Sequence, residues 1–322
     1  MSSPYPIIEV PPGAPDALEH VGSKRKFWFT RSGNIGSEEW LFKAARQNTG
    51  EDWAEKGAAE LCELIGLPRA TYELATWTEE KNGNSKEWDG VVTRRMQESN
   101  ERLMLGNEVL AGYVNRYPEA EGNRFYVNPR YTLDLTFDVL GNDELNIRLD
   151  PEWPLPDEVT TVPEAFLGFL LFDAWIGNTD RHDNNWGVLE RSTSDGPIRY
   201  LAPTFDHASS LGRELTDEVR HERLTTDDKN RTVEAYVERC RSAFVREEGV
   251  EETIHPIDAF HQAADRHPEA ANAWLNRLEI VQSTAVEAIF GRIPEVRISD
   301  VSIDFALRQL SLNRDALLDL DF

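Results

Sequence analysis

Residues 164–176 read Glu-Ala-Phe-Leu-Gly-Phe-Leu-Leu-Phe-Asp-Ala-Trp-Ile and are apolar almost all round. A helix without a polar face has to be covered on every side. The stretch therefore predicts a buried helix at the centre of a sizeable domain, ended by Gly177. Its apolar run, 165–172, is the longest in the chain and falls far short of the ~20 residues that span a bilayer. Directly after it comes Asn178-Thr-Asp180-Arg-His182-Asp-Asn-Asn185. Two short apolar runs follow, 186–189 and 199–202, separated by polar residues 190–197, which predicts a hairpin. That hairpin would place Asn185, just before it, near Asp206, just after it. Asp180, Asn185 and Asp206 each border an apolar run, where a polar side chain needs a reason to be.

The 322 residues are enough for about two domains at ~150 residues each, and 40% hydrophobic with 29% charged content is ordinary for a folded chain. Residues 1–20 form a Pro-rich arm with an edge strand at 7–10. Two strands, 27–30 and 40–44, flank the turn 31–37. Lys43 lies within the second strand, an apolar setting that is costly for an ammonium unless it meets an anion. Thr49 is the expected cap of the next helix, with Asp52 three residues on, and Gly66 and Pro68 stop it. That helix carries Glu55, Glu60 and Glu63. Strands at 72–77 and 90–96 follow, joined by a polar loop at 79–87. Residues 26–96 thus read as a β-β-α-β-β unit, a small antiparallel sheet with one helix.

A polar hinge at 97–101 leads into a helix at 104–114, a loop with short helical pieces at 115–130, a helix at 131–140 and a connection at 141–160. Beyond residue 214 the chain reads as mostly helical, at 233–244, 256–264, 270–290, 303–310 and 314–318. Residues 216–231 form a charged surface run. The expected fold class is α+β, with a small antiparallel-sheet lobe over residues 1–97 and a larger, mainly helical lobe over 98–322.

The 34 basic and 58 acidic residues give a net charge of −24, which disfavours nonspecific binding to nucleic acid and to anionic membranes. Solubility, or a salt-tolerant host, explains that charge. Cys62 and Cys240 can make neither a disulfide framework nor a four-ligand zinc site, and read as reduced, buried residues of a cytoplasmic protein. Residues 1–15 lack the basic start and apolar core of a signal peptide. Glu252, His255, His261 and His267 lack metal-ligand spacing and read as surface or structural residues. His207 reads as a packing or capping residue.

Phosphoryl transfer needs a carboxylate on the nucleophile, oxygen ligands for Mg²⁺, and a lysine on the phosphates held by a glutamate. The chain offers these in the order Lys43, Glu55, Asp180, Asn185, Asp206. Asp180 and Asn185 stand at the spacing of base and metal-binding Asn in the protein-kinase catalytic loop. The segment 178–185 resembles the catalytic loop of the HipA-like serine/threonine kinases, and is similar to the Asp-Arg-His-x-x-Asn loop of phosphoinositide kinases. Leu201-Ala-Pro-Thr-Phe-Asp206-His-Ala-Ser-Ser resembles the HipA-family segment bearing the second metal-binding Asp. Phe42-Lys43, Glu55 and Gly66-Leu-Pro resemble that family's nucleotide-binding lobe.

The resemblance spans residues 26–310 and implies an ATP- and Mg²⁺-dependent kinase acting on a protein Ser/Thr hydroxyl. It makes Asp180 the base, Asn185 and Asp206 the Mg²⁺ ligands, Lys43 the phosphate contact and Glu55 its partner. Arg94 to Met96 would be the adenine-contacting hinge, and His182 would lie against the nucleotide or brace the loop. It also implies autophosphorylation, for which Ser32 and Ser37 are the candidates beside Gly33 and Gly36. A small antitoxin or companion chain is implied as partner, with no direct nucleic-acid or membrane contact. The chain resembles the shorter family members, which lack the extra N-terminal subdomain. A nucleotide-binding pseudokinase is the alternative that the intact Asp180, Asn185 and Asp206 oppose. A phosphoinositide or small-molecule kinase is another, and the acidic charge opposes a lipid surface.

Overall fold

The computed structural model describes residues 3–14, 17–18, 25–33, 36–81, 83–118, 128–194 and 196–322. Alternating apolar residues early in the chain build β1 (Ile7–Val10), β2 (Ala17–Leu18), β3 (Lys26–Gly33) and β4 (Gly36–Ala44). Then come α1 (Glu51–Leu64), β5 (Tyr72–Lys81) and β6 (Asn84–Arg94). Among the described residues these strands form a six-stranded sheet in the order β1-β5-β6-β4-β3-β2, antiparallel except for the β1–β5 edge pair. One face packs Phe27, Phe29, Trp40, Phe42, Trp77 and Val92 together, with the Phe27 and Trp77 rings 4.7 Å apart. Side chains alternate along a strand, so Lys43, next to Phe42, points to the other face.

The β-β-α-β-β order stands, and two local expectations do not. Residues 79–87 are not a loop: β5 and β6 pair out to Lys81 and Asn84, because the ladder keeps satisfying backbone groups beyond the core. Glu79 faces Lys86 across it, and the Lys86 ammonium lies 3.8 Å over the Trp88 ring. Thr49 does not cap α1, since its hydroxyl bonds the Arg46 carbonyl at 2.8 Å and Gly50 holds the cap position. The first turn of α1 is held by its own carboxylates instead. Glu51 accepts from the Arg46 backbone N–H at 2.9 Å, and Asp52 pairs with Arg297 at 2.9 Å.

After β6 the chain crosses to a second sheet through β7 (Glu101–Leu105), followed by α2 (Gly106–Tyr113) and α3 (Leu133–Leu140). Next are β8 (Ile147–Arg148), α4 (Val162–Ile176), β9 (Gly187–Thr193) and β10 (Gly196–Leu201). Residues 104–105 are strand and not helix because β7 pairs with β9, with Leu105 opposite Gly187. The backbones approach so closely there that a Cβ at Gly187 would sit 2.4 Å from the Met104 carbonyl oxygen. The β9–β10 hairpin forms as expected, and its strands extend through most of the polar stretch. Of the stretch 115–130, residues 119–127 lie outside the described residues.

The remaining helices are α5 (Asp217–Thr225), α6 (Val233–Val237), α7 (Pro256–Ala264), α8 (Pro268–Glu279), α9 (Ser283–Phe290) and α10 (Asp300–Leu318). The charged run 216–231 contains α5, whose Arg220 is buried and donates to the Gly212 carbonyl at 3.0 Å. The helix expected over 233–244 ends at Val237, because Ser242 and Val245 turn to bond Ile254 and Tyr131. The expected 270–290 helix breaks at 280–282, which buries Val281 and exposes Ile280. The break expected between 310 and 314 is absent. Asn313 faces inward and bonds the Trp175 carbonyl at 2.9 Å, so α10 runs through.

The helix α4 is buried along its length, as its composition requires. It joins α1, α7, α8 and α10 in the largest apolar cluster. The fold is therefore α+β and bilobed, with α1 lying between the small sheet and the helical lobe. Arg297, nearly buried, ties the lobes by pairing with Asp52 at 2.9 Å and Asp89 at 2.8 Å and donating to the Ala75 carbonyl. No helix among the described residues is long and apolar enough to cross a membrane.

Lys56 is a buried cation on α1 whose three donors go to Glu60 (2.7 Å), Glu73 (2.9 Å) and the Tyr72 carbonyl (3.0 Å). Burial alone would raise the Glu60 carboxyl, but Lys56 and the Tyr5 hydroxyl bring it below its usual value. A depressed carboxylate stabilises the fold above its ordinary pKa, about 4.3, and loses that effect as pH falls through the folded value. Lys56→Ala, which strands the partner acids, should cost about 3–5 kcal/mol in urea unfolding at pH 7. The deficit should shrink as pH drops below about 4. A loss under about 1 kcal/mol would show that the cluster does not hold α1 to β5.

Candidate active site

The site grows from the C-terminal end of α4. Gly177 takes the left-handed conformation (φ 65°), where a Cβ would meet the Gln309 amide at 2.1 Å. Gln309 and Asn313 on α10 donate to the Ile176 and Trp175 carbonyls at 3.2 and 2.9 Å, satisfying groups the helix leaves open. One turn back, Asp173 receives a bidentate contact from Arg181, at 2.6 Å from Nε and 2.8 Å from Nη2. Asn178 adds a third bond to the same carboxylate at 2.8 Å. Both members of the pair are buried. Burial alone would lower the Arg181 pKa, but Asp173 lifts it above its ordinary value. The other end of Arg181 donates to the Asn185 carbonyl at 2.6 Å and to the Phe205 carbonyl at 3.4 Å. One guanidinium thus joins the backbones beside Asn185 and Asp206.

Within the loop, the Asn185 side-chain amide donates to the Asp180 carbonyl at 2.6 Å, leaving its Oδ1 as the acceptor end. The Asp180 N–H donates to Asn178 at 3.1 Å. The Asp180 carboxylate receives the Ser209 hydroxyl at 3.3 Å and lies 3.7 Å from His182 Nε2. His182 Nδ1 accepts from the Asn184 N–H at 3.1 Å, so its ring spans the loop. Asp183 faces away, to the Tyr117 hydroxyl (2.8 Å) and Asn128 (3.0 Å).

The β9–β10 hairpin delivers Asp206 opposite the small lobe. Asp206 is left-handed at φ 60°, and its N–H donates to the buried Tyr72 hydroxyl at 3.1 Å. Its carboxylate meets the Lys43 ammonium at 3.2 Å, across 163 positions of sequence. Burial alone would lower the Lys43 pKa, but Asp206, Tyr72 and Glu55 together raise it, so the ammonium stays charged. Lys43 therefore finds the anion that its apolar strand demands.

Glu55 does not make the expected direct pair with Lys43. Its carboxylate, 1% exposed, accepts the N–H groups of His207 (2.8 Å) and Ala208 (3.1 Å). The left-handed turn at Asp206 presents two backbone donors together, and these take up the buried carboxylate in place of the lysine on the preceding strand. Glu60 and Glu63 turn elsewhere, to Lys56 and Arg69. His207 is fully buried, bonded to Thr204 at 2.8 Å and edge-on to Phe172, as a packing residue would be.

Met96 packs with Ala59, Ala70, Tyr72, Val91, Phe205 and Leu105 in an apolar cluster where the lobes meet. Arg94 lies outside this cluster, exposed, 3.4 Å from Glu38. At the β3–β4 turn Gly33 pairs with Gly36 and Ser32 with an exposed Ser37. Residues 34–35 and the side chain of Ser32 lie outside the described residues.

The donor set on offer is a carboxylate (Asp206), an amide oxygen (Asn185), a second carboxylate (Asp180) and an ammonium (Lys43), beside an apolar wall. Hard oxygens of this kind suit a cation that keeps much of its own water, as Mg²⁺ does. Among the described residues no three His, Cys, Asp or Glu side chains gather as a self-sufficient metal site.

Sequence reasoning did not find Asp173, Arg181, Ser209 or Arg213. The available signal was Asp173 itself, an acid inside an otherwise apolar helix.

No protein-family model matches the chain, and no curated protein does so by sequence. Solved structures do. The fold is similar to the crystal structure of the Helicobacter pylori proinflammatory kinase CtkA, with a TM-score of 0.69 and 18% identity. That match covers 98% of this chain and 96% of that chain. HipA of the Shewanella oneidensis MR-1 toxin–antitoxin system, solved with HipB and operator DNA, matches with a TM-score of 0.52 at 12% identity. It covers 96% of this chain and 68% of that chain. The chain has a bilobed kinase fold, shared with CtkA over nearly its whole length.

Removing Asp173 would leave Arg181 buried without its counter-ion. Asp173→Ala is expected to lose about 3–5 kcal/mol. Chemical denaturation measures this, and a loss below about 1 kcal/mol would mean that water reaches the guanidinium.

Proposed function

We propose that this chain is an ATP- and Mg²⁺-dependent serine/threonine protein kinase of HipA-like type. One observation carries the reading: Lys43 of the small sheet and Asp206 of the large lobe meet at 3.2 Å, beside a loop whose Asn185 is bonded to Asp180. In this reading residues 1–97 are the nucleotide-binding lobe and 98–322 the catalytic lobe. ATP would lie between them, with the cluster of Met96, Val91 and Leu105 as the apolar wall for its adenine. Bound Mg²⁺–ATP supplies the γ-phosphoryl group and the positive charge that offsets its oxygens.

The chain's own residues do the rest. Asp180 orients the acceptor hydroxyl and takes its proton. Asn185 Oδ1 and the Asp206 carboxylate would hold the cation. Lys43, which bonds Asp206 at 3.2 Å, would also be the cation for a phosphate oxygen. Glu55 fixes the backbone just after Asp206. His182 braces the catalytic loop.

The protein substrate carries a Ser or Thr, and a small companion chain fits the HipB-bound state of the HipA neighbour. A toxin-type role and autophosphorylation at Ser32 or Ser37 belong to the same reading. A reducing cytoplasm suits the two free, buried cysteines, whose thiols burial pushes up, Cys240 to about 11.

Phosphate transfer from labelled ATP, to the chain itself and to Ser/Thr peptides, tests the proposal. Wild type should transfer phosphate only with Mg²⁺. Asp180→Asn should lower kcat by about 10²–10⁴-fold, while Asp206→Asn and Lys43→Met should weaken productive nucleotide use. Equal transfer by Asp180→Asn and wild type, or none by wild type with Mg²⁺, sinks the reading.

A further inference from the structure

We infer that Ser209 and Arg213 are positioning residues that lock the Asp180 carboxylate to the first turn of α1; the inference rests on the kinase reading above for its consequence, though not for its geometry. Ser209 grips the catalytic loop twice. Its carbonyl accepts the Thr179 N–H at 3.1 Å and the Thr179 hydroxyl at 3.3 Å, and its own hydroxyl donates to Asp180 Oδ2 at 3.3 Å.

The direction of that last bond is set by Arg213. Its Nη2 donates to the Ser209 oxygen at 3.0 Å. A guanidinium only donates and a carboxylate only accepts, so the hydroxyl proton is turned toward Asp180. Arg213 is itself fixed. Its Nη1 bonds Glu51 Oε1 at 2.9 Å, and its carbonyl accepts the Gly50 N–H at 2.8 Å. Glu51, nearly buried at the start of α1, also binds the Arg46 guanidinium at 2.7 Å. The chain of contacts Glu51–Arg213–Ser209–Asp180 alternates donor and acceptor from small lobe to large.

The backbone is bent to make this possible. Leu211 and Gly212 are both left-handed, at φ 56° and 66°, and the Leu211 N–H bonds the Ile176 carbonyl at 3.1 Å. A leucine in that region meets its own carbonyl sterically, so tertiary contacts hold it there. The double turn brings the Arg213 guanidinium to Ser209. Ser209 stands where an acceptor hydroxyl would approach Asp180. Arg213 donates to one of the two lone pairs of the Ser209 oxygen and so fixes the hydroxyl to orient the carboxylate. Displacement of α1 would thus be felt at Asp180 as well as just after Asp206, where Glu55 holds the backbone.

The full-length chain is tested as Ser209→Ala, Ser209→Thr and Arg213→Gln. Amide hydrogen exchange is read first, without nucleotide. Exchange at residues 178–185 should quicken about 10-fold in Ser209→Ala and Arg213→Gln, with Ser209→Thr near wild type. With Mg²⁺–ATP, kcat should fall about 10–100-fold in the first two while KM for ATP stays within about 2-fold, and Ser209→Thr should restore most of the rate.

Unchanged exchange in both variants overturns the inference. So does uniform loosening of all helices with a large fall in Tm, which marks general structural damage. Phosphate mapped on Ser209 of the wild type also overturns it, by making this residue an acceptor. A wild type that turns over no ATP overturns the kinase reading alone, and the exchange data still decide the positioning.

Discussion

The arrangement depends on one buried ion pair. Arg181 and Asp173 hold each other at 2.6 Å with almost no contact to water. A charge in that position cannot be left single, so each side chain dictates the other's place. Asp173 is fixed by the most apolar helix in the chain. Arg181 therefore carries the rigidity of α4 into the loop after it, and its free end bonds the carbonyls of Asn185 and Phe205. Two segments that would otherwise be surface loops are registered against each other by one planar group. The apolar helix is the foundation, and the polar site is its consequence.

The second constraint is the polar character of α1. Glu51, Asp52, Glu55 and Lys56 are all buried on a helix enclosed by the sheet on one side and the large lobe on the other. Each acid reaches across a boundary: Glu51 to Arg213, Asp52 to Arg297, Glu55 to the backbone of His207 and Ala208. Directional contacts of this kind set a specific relation between the lobes, whereas apolar packing alone would tolerate sliding. The Lys43–Asp206 contact lies at the middle of that junction, with Tyr72 bonding the Asp206 N–H from the same side.

Much of the chain was legible because its local and global preferences agree. The small sheet with one helix, the buried helix at 164–176 and the hairpin that returns Asp206 toward Asn185 all followed from periodicity and turn residues. The errors have physical causes. Met104-Leu105 joins smoothly in sequence to the helical residues after it, and only the pairing of β7 with β9 makes it strand. The sequence reading separates 303–310 from 314–318, whereas α10 runs through because the Asn313 amide is turned inward onto α4. The resemblance pairs Glu55 with Lys43, and spacing along the chain does not show the two backbone N–H groups that follow a left-handed aspartate.

The sequence by itself determined the cast: an apolar helix that must be buried, an apolar strand with a lysine that must find an anion, and three polar residues set beside apolar runs. Those follow from the cost of burying or exposing particular groups, which depends on residue type and spacing alone. Tertiary structure decided the pairing. That Lys43 meets Asp206, that Glu55 serves a backbone turn, and that Arg213 reaches Asp180 through Ser209 are matters of which charges come within hydrogen-bond distance. Contacts between positions far apart in the chain are set by packing of the whole, and no local pattern encodes them.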